Sequence, residues 1–416
     1  MGRNVFLSFL GVGKPKTGYE EFEYSINGKN LPKTKFVQKA EYDYYGDNFF
    51  DRIIILVTKS SKEKYFEELN KEMNYMAESI EISEDLNPES QWPGFEEILK
   101  LIEPEDNIYI DMTHGFRSTP IMFSVAINFL QQIKDVEIKA VYYADIYKEN
   151  KPIVDFKDFF ILNKWADAVS RLVENADANK LMELGKTEHH FNIADLKDNK
   201  LIESFDKLTD TIKNVDANNI AKIASEALQQ IDNKKKNSSI VENILFDIMN
   251  RKFSPLSKPL SGKYDADYFE VQLSFIKLLI DHKLFMQAFT VMRECIGSIG
   301  LIFREDIKYS NSKGRDARRY AEVFINMLQF YPNLKFNEED NKILDKLKPW
   351  YEELKSKGIE KDLTSFVKEM IALRNGFDHA WTSKSGMKDN IAEDAVKFYD
   401  KLCNVVKKIF NTTEKC

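Results

Sequence analysis

The sequence predicts two structural classes in one chain, an α/β region over about the first 165 residues and an all-α region after it. Three observations carry this: short apolar runs at strand length, helical periods between them, and a change to near-unbroken helical periodicity further on. Residues 4–10 (NVFLSFL) form an apolar run that ends in Gly11-Val12-Gly13, as a buried strand does where it meets a loop. Residues 51–58 (DRIIILVT) are continuous and β-branched, which suits a central parallel strand covered on both faces. Residues 107–111 (NIYID) and 136–143 (VEIKAVYY) read as a third and a fourth strand. Helical patterns over 62–79 and 120–133 lie between them, and Pro120 suits a first helical turn. Strand, helix, strand in repetition implies an open parallel sheet with right-handed crossovers. Ligands of such sheets bind at the carboxyl ends of the strands, where the Gly11 and Thr113 loops fall.

From about residue 164 the helical period takes over, through 165–184 and 195–231. The polar run 233–239 (NKKKNSS) reads as an interruption and 260–264 (LSGKY) as a second breaker. A long apolar helix is expected over 266–303, with a break near His282, followed by a basic loop at 311–319 (NSKGRDARR) and shorter helices. The expected division is 1–165, a helical connector 166–255, and 256–416.

A chain of 416 residues is too long for one ordinary core, and 43% apolar with 31% charged residues is the composition of a globular protein. The apolar run at the N-terminus is far shorter than the roughly 20 residues of a membrane span, so the expectation is no membrane and a cytoplasmic location. Cys295, Cys403 and Cys416 are scattered and odd in number, which suggests a reducing compartment. They stand in no metal-ligand spacing, and His189-His190 has no matched carboxylate or cysteine, so no metal is expected. With a net charge of -7, any nucleic acid must be held by a local positive field.

The loop Asp111-Met112-Thr113-His114-Gly115-Phe116-Arg117-Ser118 follows a strand and leads into a helix. Free amides, two hydroxyls and a guanidinium gather there, as in an anion or nucleotide cradle. An ordinary strand-to-helix turn, with Asp111 and Thr113 bonding local backbone, accounts for the same residues. Gly11-Val12-Gly13-Lys14 lacks the spacing of a phosphate loop or a dinucleotide fingerprint. Its glycines permit close approach of a ligand, and they also simply permit a turn.

Together these pieces resemble a known family. Phe9-Leu10-Gly11-Val12-Gly13, the segment 33–40 (KTKFVQKA), the 111–118 loop, Tyr142-Tyr143, Ile153-Val154-Asp155-Phe156 and Trp165 follow the order seen in CRISPR-associated DxTHG proteins. The resemblance spans about the first 190 residues, and its DxTHG loop is the specific part. It implies a Rossmann-like CARF domain that dimerises and binds a cyclic oligoadenylate across its two-fold axis. The ligand contacts it implies are Gly11, Val12, Gly13, Lys14, Thr113, His114, Gly115 and Arg117. Thr17 and Gly18 align less securely because of the Lys14-Pro15-Lys16 insertion.

In the last third, Arg374-Asn375-Gly376-Phe377-Asp378-His379 fits R-x4-H, the pattern of HEPN ribonucleases. Leu363, Phe366, Val367, Met370, Ile371 and Leu373 have a helical apolar period before it, which puts Arg374 near a helix end with Gly376 turning the chain. Metal-free RNA cleavage needs a base for the 2′-hydroxyl, an acid for the departing 5′-oxygen and a cation for the pentacoordinate phosphate. Histidine and arginine suit these tasks, but one histidine cannot serve both proton roles at once. The resemblance supplies a homodimer that brings Arg374 and His379 of two chains into one site acting on single-stranded RNA, with Asn375 orienting the histidine or binding phosphate. R-x4-H also arises by chance, Arg374 then being a helix-terminal charge.

The reading is therefore a CARF/HEPN endoribonuclease without a cofactor, activated by a cyclic oligoadenylate of four, or else six, units and leaving 2′,3′-cyclic phosphate ends. Its rivals are a ring nuclease that opens the activator with Thr113, His114 or Arg117, and a ligand-binding regulator with an inactive helical domain. Arg315, Arg318 and Arg319 could line an RNA path or a solvated loop, Arg293-Glu294 could brace the catalytic helix, and His282 reads as a satisfied histidine.

Overall fold

The computed structural model describes residues 2–14, 16–85, 87–114, 119–134, 136–187, 193–309, 315–333, 337–378 and 390–411, with backbone alone at 119–123, 315, 372, 374, 375 and 378. The chain divides into two compact units, 1–163 and 164–416. The first is α/β and the second, among the described residues, is all helix, as the periodicity predicts.

The first unit holds strands β1 (Asn4–Leu10), β2 (Ser25–Ile26), β3 (Lys29–Asn30), β4 (Arg52–Val57), β5 (Ala77–Glu81), β6 (Asn107–Asp111), β7 (Glu137–Ala144) and β8 (Pro152–Asp155). Its helices are α1 (Val37–Tyr45), α2 (Lys59–Ser61) running through a π-helical turn (Lys62–Phe66) into α3 (Glu67–Glu72), α4 (Pro88–Leu101) and α5 (Thr119–Ile133). The strands form one sheet in the order β3-β2-β8-β7-β6-β1-β4-β5. From β7 to β5 every pairing is parallel, but β8 runs antiparallel to β7 and β3 antiparallel to β2. The expected all-parallel sheet is thus corrected to a mixed one. The short 145–151 connection cannot hold a crossover helix, so the chain returns as a hairpin.

The four strands expected from apolar runs are present, but the helix expected over 62–79 is not. It begins at Lys59, where Thr58 and Ser61 form a reciprocal cap, and ends at Glu72; Ala77–Glu81 is an edge strand on β4. Strand alternation builds two cores. Val5, Leu7, Phe9, Ile54, Ile108 and Ile110 pack on one face, while Phe6, Leu10, Ile53, Ile55 and Tyr109 pack on the other with Val37 and Ala40 of α1. Ser8 and Asp111 fall by the same alternation on the α1 face, fully buried.

Helix α6 (Lys157–Asn175) straddles the unit boundary, and α7 (Asn179–Gly185), α8 (Asn199–Lys213), α9 (Ile220–Lys235) and α10 (Ile240–Phe253) follow. The helix expected over 195–231 is broken at 214–219, and the break expected at 233–239 is shortened because α9 runs to Lys235 before Ser239 caps α10. α11 (Ala266–Asp281) and α12 (Phe285–Ile299) part at His282, as anticipated. α13 (Arg315–Phe330), α14 (Glu338–Ser356), α15 (Ile359–Asp378) and α16 (Ile391–Phe410) complete the unit. The basic loop therefore ends before Arg315, because the helical period of α13 absorbs Arg318 and Arg319. α15 is seated by Leu363, Phe366, Val367, Met370 and Leu373, all buried, with Phe366 against Phe398 of α16 at 5.1 Å between rings. The turn expected at Gly376 is absent: the helix continues through it to Asp378, since one glycine costs a helix only about 1 kcal/mol.

Candidate functional site

At the carboxyl ends of the adjacent strands β1 and β6, a cleft of about 400 Å³ opens. Gly11, Val12, Gly13 and Lys14 form one wall and Thr113 with His114 the other; Tyr19, Phe22, Tyr24 and Ile146 close it. The first wall is a tight hairpin. Lys14 and Gly18 exchange two backbone hydrogen bonds of 2.9 Å, and Lys14 Nζ pairs with Glu20 at 2.8 Å. Gly13 has φ +68°, and a Cβ there would stand 2.5 Å from the carbonyl carbon of Gly18, so only glycine fits. Tyr19, just past the hairpin, accepts a 3.1 Å hydrogen bond at its hydroxyl from Gly11 N and stands edge-on to His114 at 5.2 Å.

The second wall is built on Asp111. Its buried carboxylate accepts from Ser8 Oγ at 2.6 Å, from Thr113 N at 2.9 Å and from the Thr113 hydroxyl. Thr113 Oγ1 in turn accepts from Ala144 N at 2.9 Å, so this side chain ties β6 to β7 and presents little free polarity to the cleft. Burial pushes the Asp111 carboxyl above its usual range, against the pull of His114 and these donors. Burial also lowers the His114 imidazole, and its Nε2 is shut from solvent without a partner among the described residues. The 33–40 segment has a structural part to play here: Gln38 on α1 donates to Phe9 O at 2.7 Å and fixes the end of β1.

Six of the eight residues expected to contact a ligand thus line one cleft, and Gly115 and Arg117 lie outside the described residues. Sequence reasoning missed Ser8, Tyr19, Tyr24 and Glu41. Glu41 on α1 is fully buried with both carboxyl oxygens unpartnered among the described residues, and burial, with Asp111 nearby, holds it well above the carboxylate range. Only a polar residue at an inward strand position, as with Ser8, was a usable signal.

In the second unit, Arg374 and Asn375 lie toward the end of α15, and His379 lies outside the described residues. Arg318 pairs with Glu322 at 3.2 Å, and Arg319 with Asp340 at 2.9 Å and with Glu339, so these two guanidiniums are engaged within the unit. Arg293 pairs with its neighbour Glu294 at 2.8 Å; His282 Nε2 meets Val173 O at 3.0 Å, but its Nδ1 is shut from solvent with no partner among the described residues, so the satisfied histidine expected there is corrected to a half-satisfied one. Cys295 and Cys403 are buried thiols, whereas His189, His190 and Cys416 lie outside the described residues. Among the described residues no cluster of three potential metal ligands occurs, and no helix is long and apolar enough to cross a membrane.

No family model matches the chain. Over 243 residues, 56% of its length, it is 24% identical to CRISPR-associated protein MJ1674 of Methanocaldococcus jannaschii, and it spans about a third of that relative, 36%. Among solved structures, Enterococcus italicus Csm6 bound to cyclic hexa-2'-fluoro-hexa-dAMP aligns with 100% of the chain and 96% of its own, at 11% identity and a TM-score of 0.38.

Proposed function

We propose that this chain is a CRISPR-associated ribonuclease of the DxTHG type, switched on by a cyclic oligoadenylate held in the cleft of the first unit. The observation that carries the reading is the convergence of the Gly11–Lys14 hairpin and the Asp111-Met112-Thr113-His114 turn on one cleft at adjacent strand ends. The likeness to a CRISPR-associated protein supports the biological setting. Tyr19 and Phe22, both partly exposed, offer ring surface to adenine above the fully buried Tyr24, a contact worth about 1–3 kcal/mol per base. Lys14 is held by Glu20 only through an exposed pair, so its ammonium joins the backbone amides and the Tyr19 hydroxyl, whose proton is not used on Gly11, in meeting phosphate.

In the second unit, Arg374 neutralises the pentacoordinate phosphate and His379 moves the proton of the 2′-hydroxyl or the leaving 5′-oxygen, with Asn375 as an orienting group. Two copies of the chain supply the two histidines that the reaction needs, so the active form is a homodimer working without metal in the cytoplasm. In this reading residues 1–165 are the CARF sensor, 166–255 a connector and 256–416 the HEPN domain. A ring-nuclease role is disfavoured at these two residues because the Thr113 hydroxyl is spent on Asp111 and Ala144 N and His114 Nε2 is shut from solvent.

The test is cleavage of labelled single-stranded RNA, with and without cyclic tetra-adenylate and cyclic hexa-adenylate, by the full chain and by His379→Ala. Activator-dependent cleavage that His379→Ala abolishes is expected. Undiminished cleavage in the variant would overturn the assignment.

A further inference from the structure

The chain carries a formal net charge of -7, yet one groove of the second unit reverses that sign. α15 and α16 lie antiparallel, stitched by Lys408 to Asp362 at 2.7 Å and by Lys397 and Lys401 to Glu369 at 3.8 and 3.6 Å. Beside this seam is a cavity of about 420 Å³ where Lys361, Lys401, Lys407 and Lys408 face a single acid, Asp362. Ser365 and Asn404 complete the lining with neutral donors and acceptors.

Helix electrostatics explains only part of this cluster. Lys407 and Lys408 occupy the last turn of α16, where cations complement the free carbonyls. Lys361 stands in the first turn of α15, the end at which a cation is disfavoured, and Lys401 is in the middle of α16. Among the described residues neither Lys361 nor Lys407 has an ion-pair partner. Lys401 shares its carboxylate with Lys397 at long range. Exposed pairs of this kind hold a lysine by less than about 1 kcal/mol, so these side chains are free to turn to a polyanion.

The same helix that lines this groove carries Arg374 and Asn375 about 18 Å further on, by the 1.5 Å rise per residue. We infer that the groove is a track for the phosphate backbone of the RNA substrate, outside the cleavage site and indifferent to base sequence. This rests on the ribonuclease reading for its purpose, but it is separable from it by measurement.

Anisotropy of labelled single-stranded RNA on the full chain, in EDTA and without activator, reads binding alone. The triple variant Lys361→Gln, Lys401→Gln, Lys407→Gln should bind about tenfold more weakly, with a salt dependence shallower by about two in log–log slope. Asp362→Asn, which frees Lys408, should bind RNA more tightly, a change that misfolding cannot mimic. Unaltered affinity and slope in the triple variant, or no RNA binding by the unaltered chain, would overturn the groove. RNA binding that responds to these variants in a chain that never cleaves would keep the groove and remove the nuclease.

Discussion

The two units carry their candidate residues in opposite ways. In the first, Gly11–Lys14 and Thr113-His114 come from loops far apart in the chain, and the parallel pairing of β1 with β6 sets their strand ends side by side. In the second, Arg374 and Asn375 are neighbours on one helix, and the proposed reaction, with His379 as its one histidine, would call for a second copy. A site made by sheet topology is built largely of main chain and tolerates little change in backbone. A site made by a linear motif is built of side chains and, as proposed here, depends on assembly. Substitutions should separate the two.

The largest effect is expected for Arg374→Ala. Loss of the charge on the transition state should lower RNA cleavage by about 10²–10³-fold while leaving activator affinity unchanged, as measured by single-turnover cleavage beside calorimetric titration. In the first unit, Asp111→Ala strands Ser8, Thr113 N and the Thr113 hydroxyl, and should cost about 2–3 kcal/mol of stability in chemical denaturation. Gly13→Ala forces a left-handed backbone and meets the Gly18 carbonyl carbon. Activator affinity should fall about tenfold, an energy of 1–2 kcal/mol, with little change in cleavage once the ligand is saturating.

The last effect depends on pH and concerns Glu41. Because burial raises its folded-state pKa, the folded chain holds the proton more tightly than the unfolded one. Its neutral form is accommodated at low pH, and stability is lost as pH rises from the ordinary carboxylate range toward the folded value. Glu41→Gln should flatten this fall in a Tm–pH series, and an unchanged slope would show that Glu41 does not titrate between the two states.

What could be read from sequence follows the same contrast. β1, β4, β6 and β7 were legible because buried parallel strands are continuous apolar runs. β5 (AESIE) is a half-exposed edge strand without such a run, and β2 and β3 are two residues each, so neither carries a period. α4 contains Pro93 and Gly94, which weaken its signal although the helix tolerates them. Gly376 misled in the other direction, since the apolar seam of α15 outweighs one glycine. In the cleft, glycines and the DxTHG turn were legible as loop chemistry at strand ends. Tyr19 was not, because its hydroxyl reaches Gly11 only through the Lys14–Gly18 hairpin, and Glu41 was not, because its burial is decided by how α1 lies on the sheet.

On the proposed function, a small cyclic ligand at one unit controls phosphodiester cleavage at the other. The most direct test of this is a time course of labelled single-stranded RNA with the purified full chain, across cyclic oligoadenylates of several ring sizes and with EDTA throughout. Cleavage is expected with one ring size, with products ending in 2′,3′-cyclic phosphate and no effect of the chelator. Intact RNA under every ring, or cleavage equally fast with no ring at all, would contradict it.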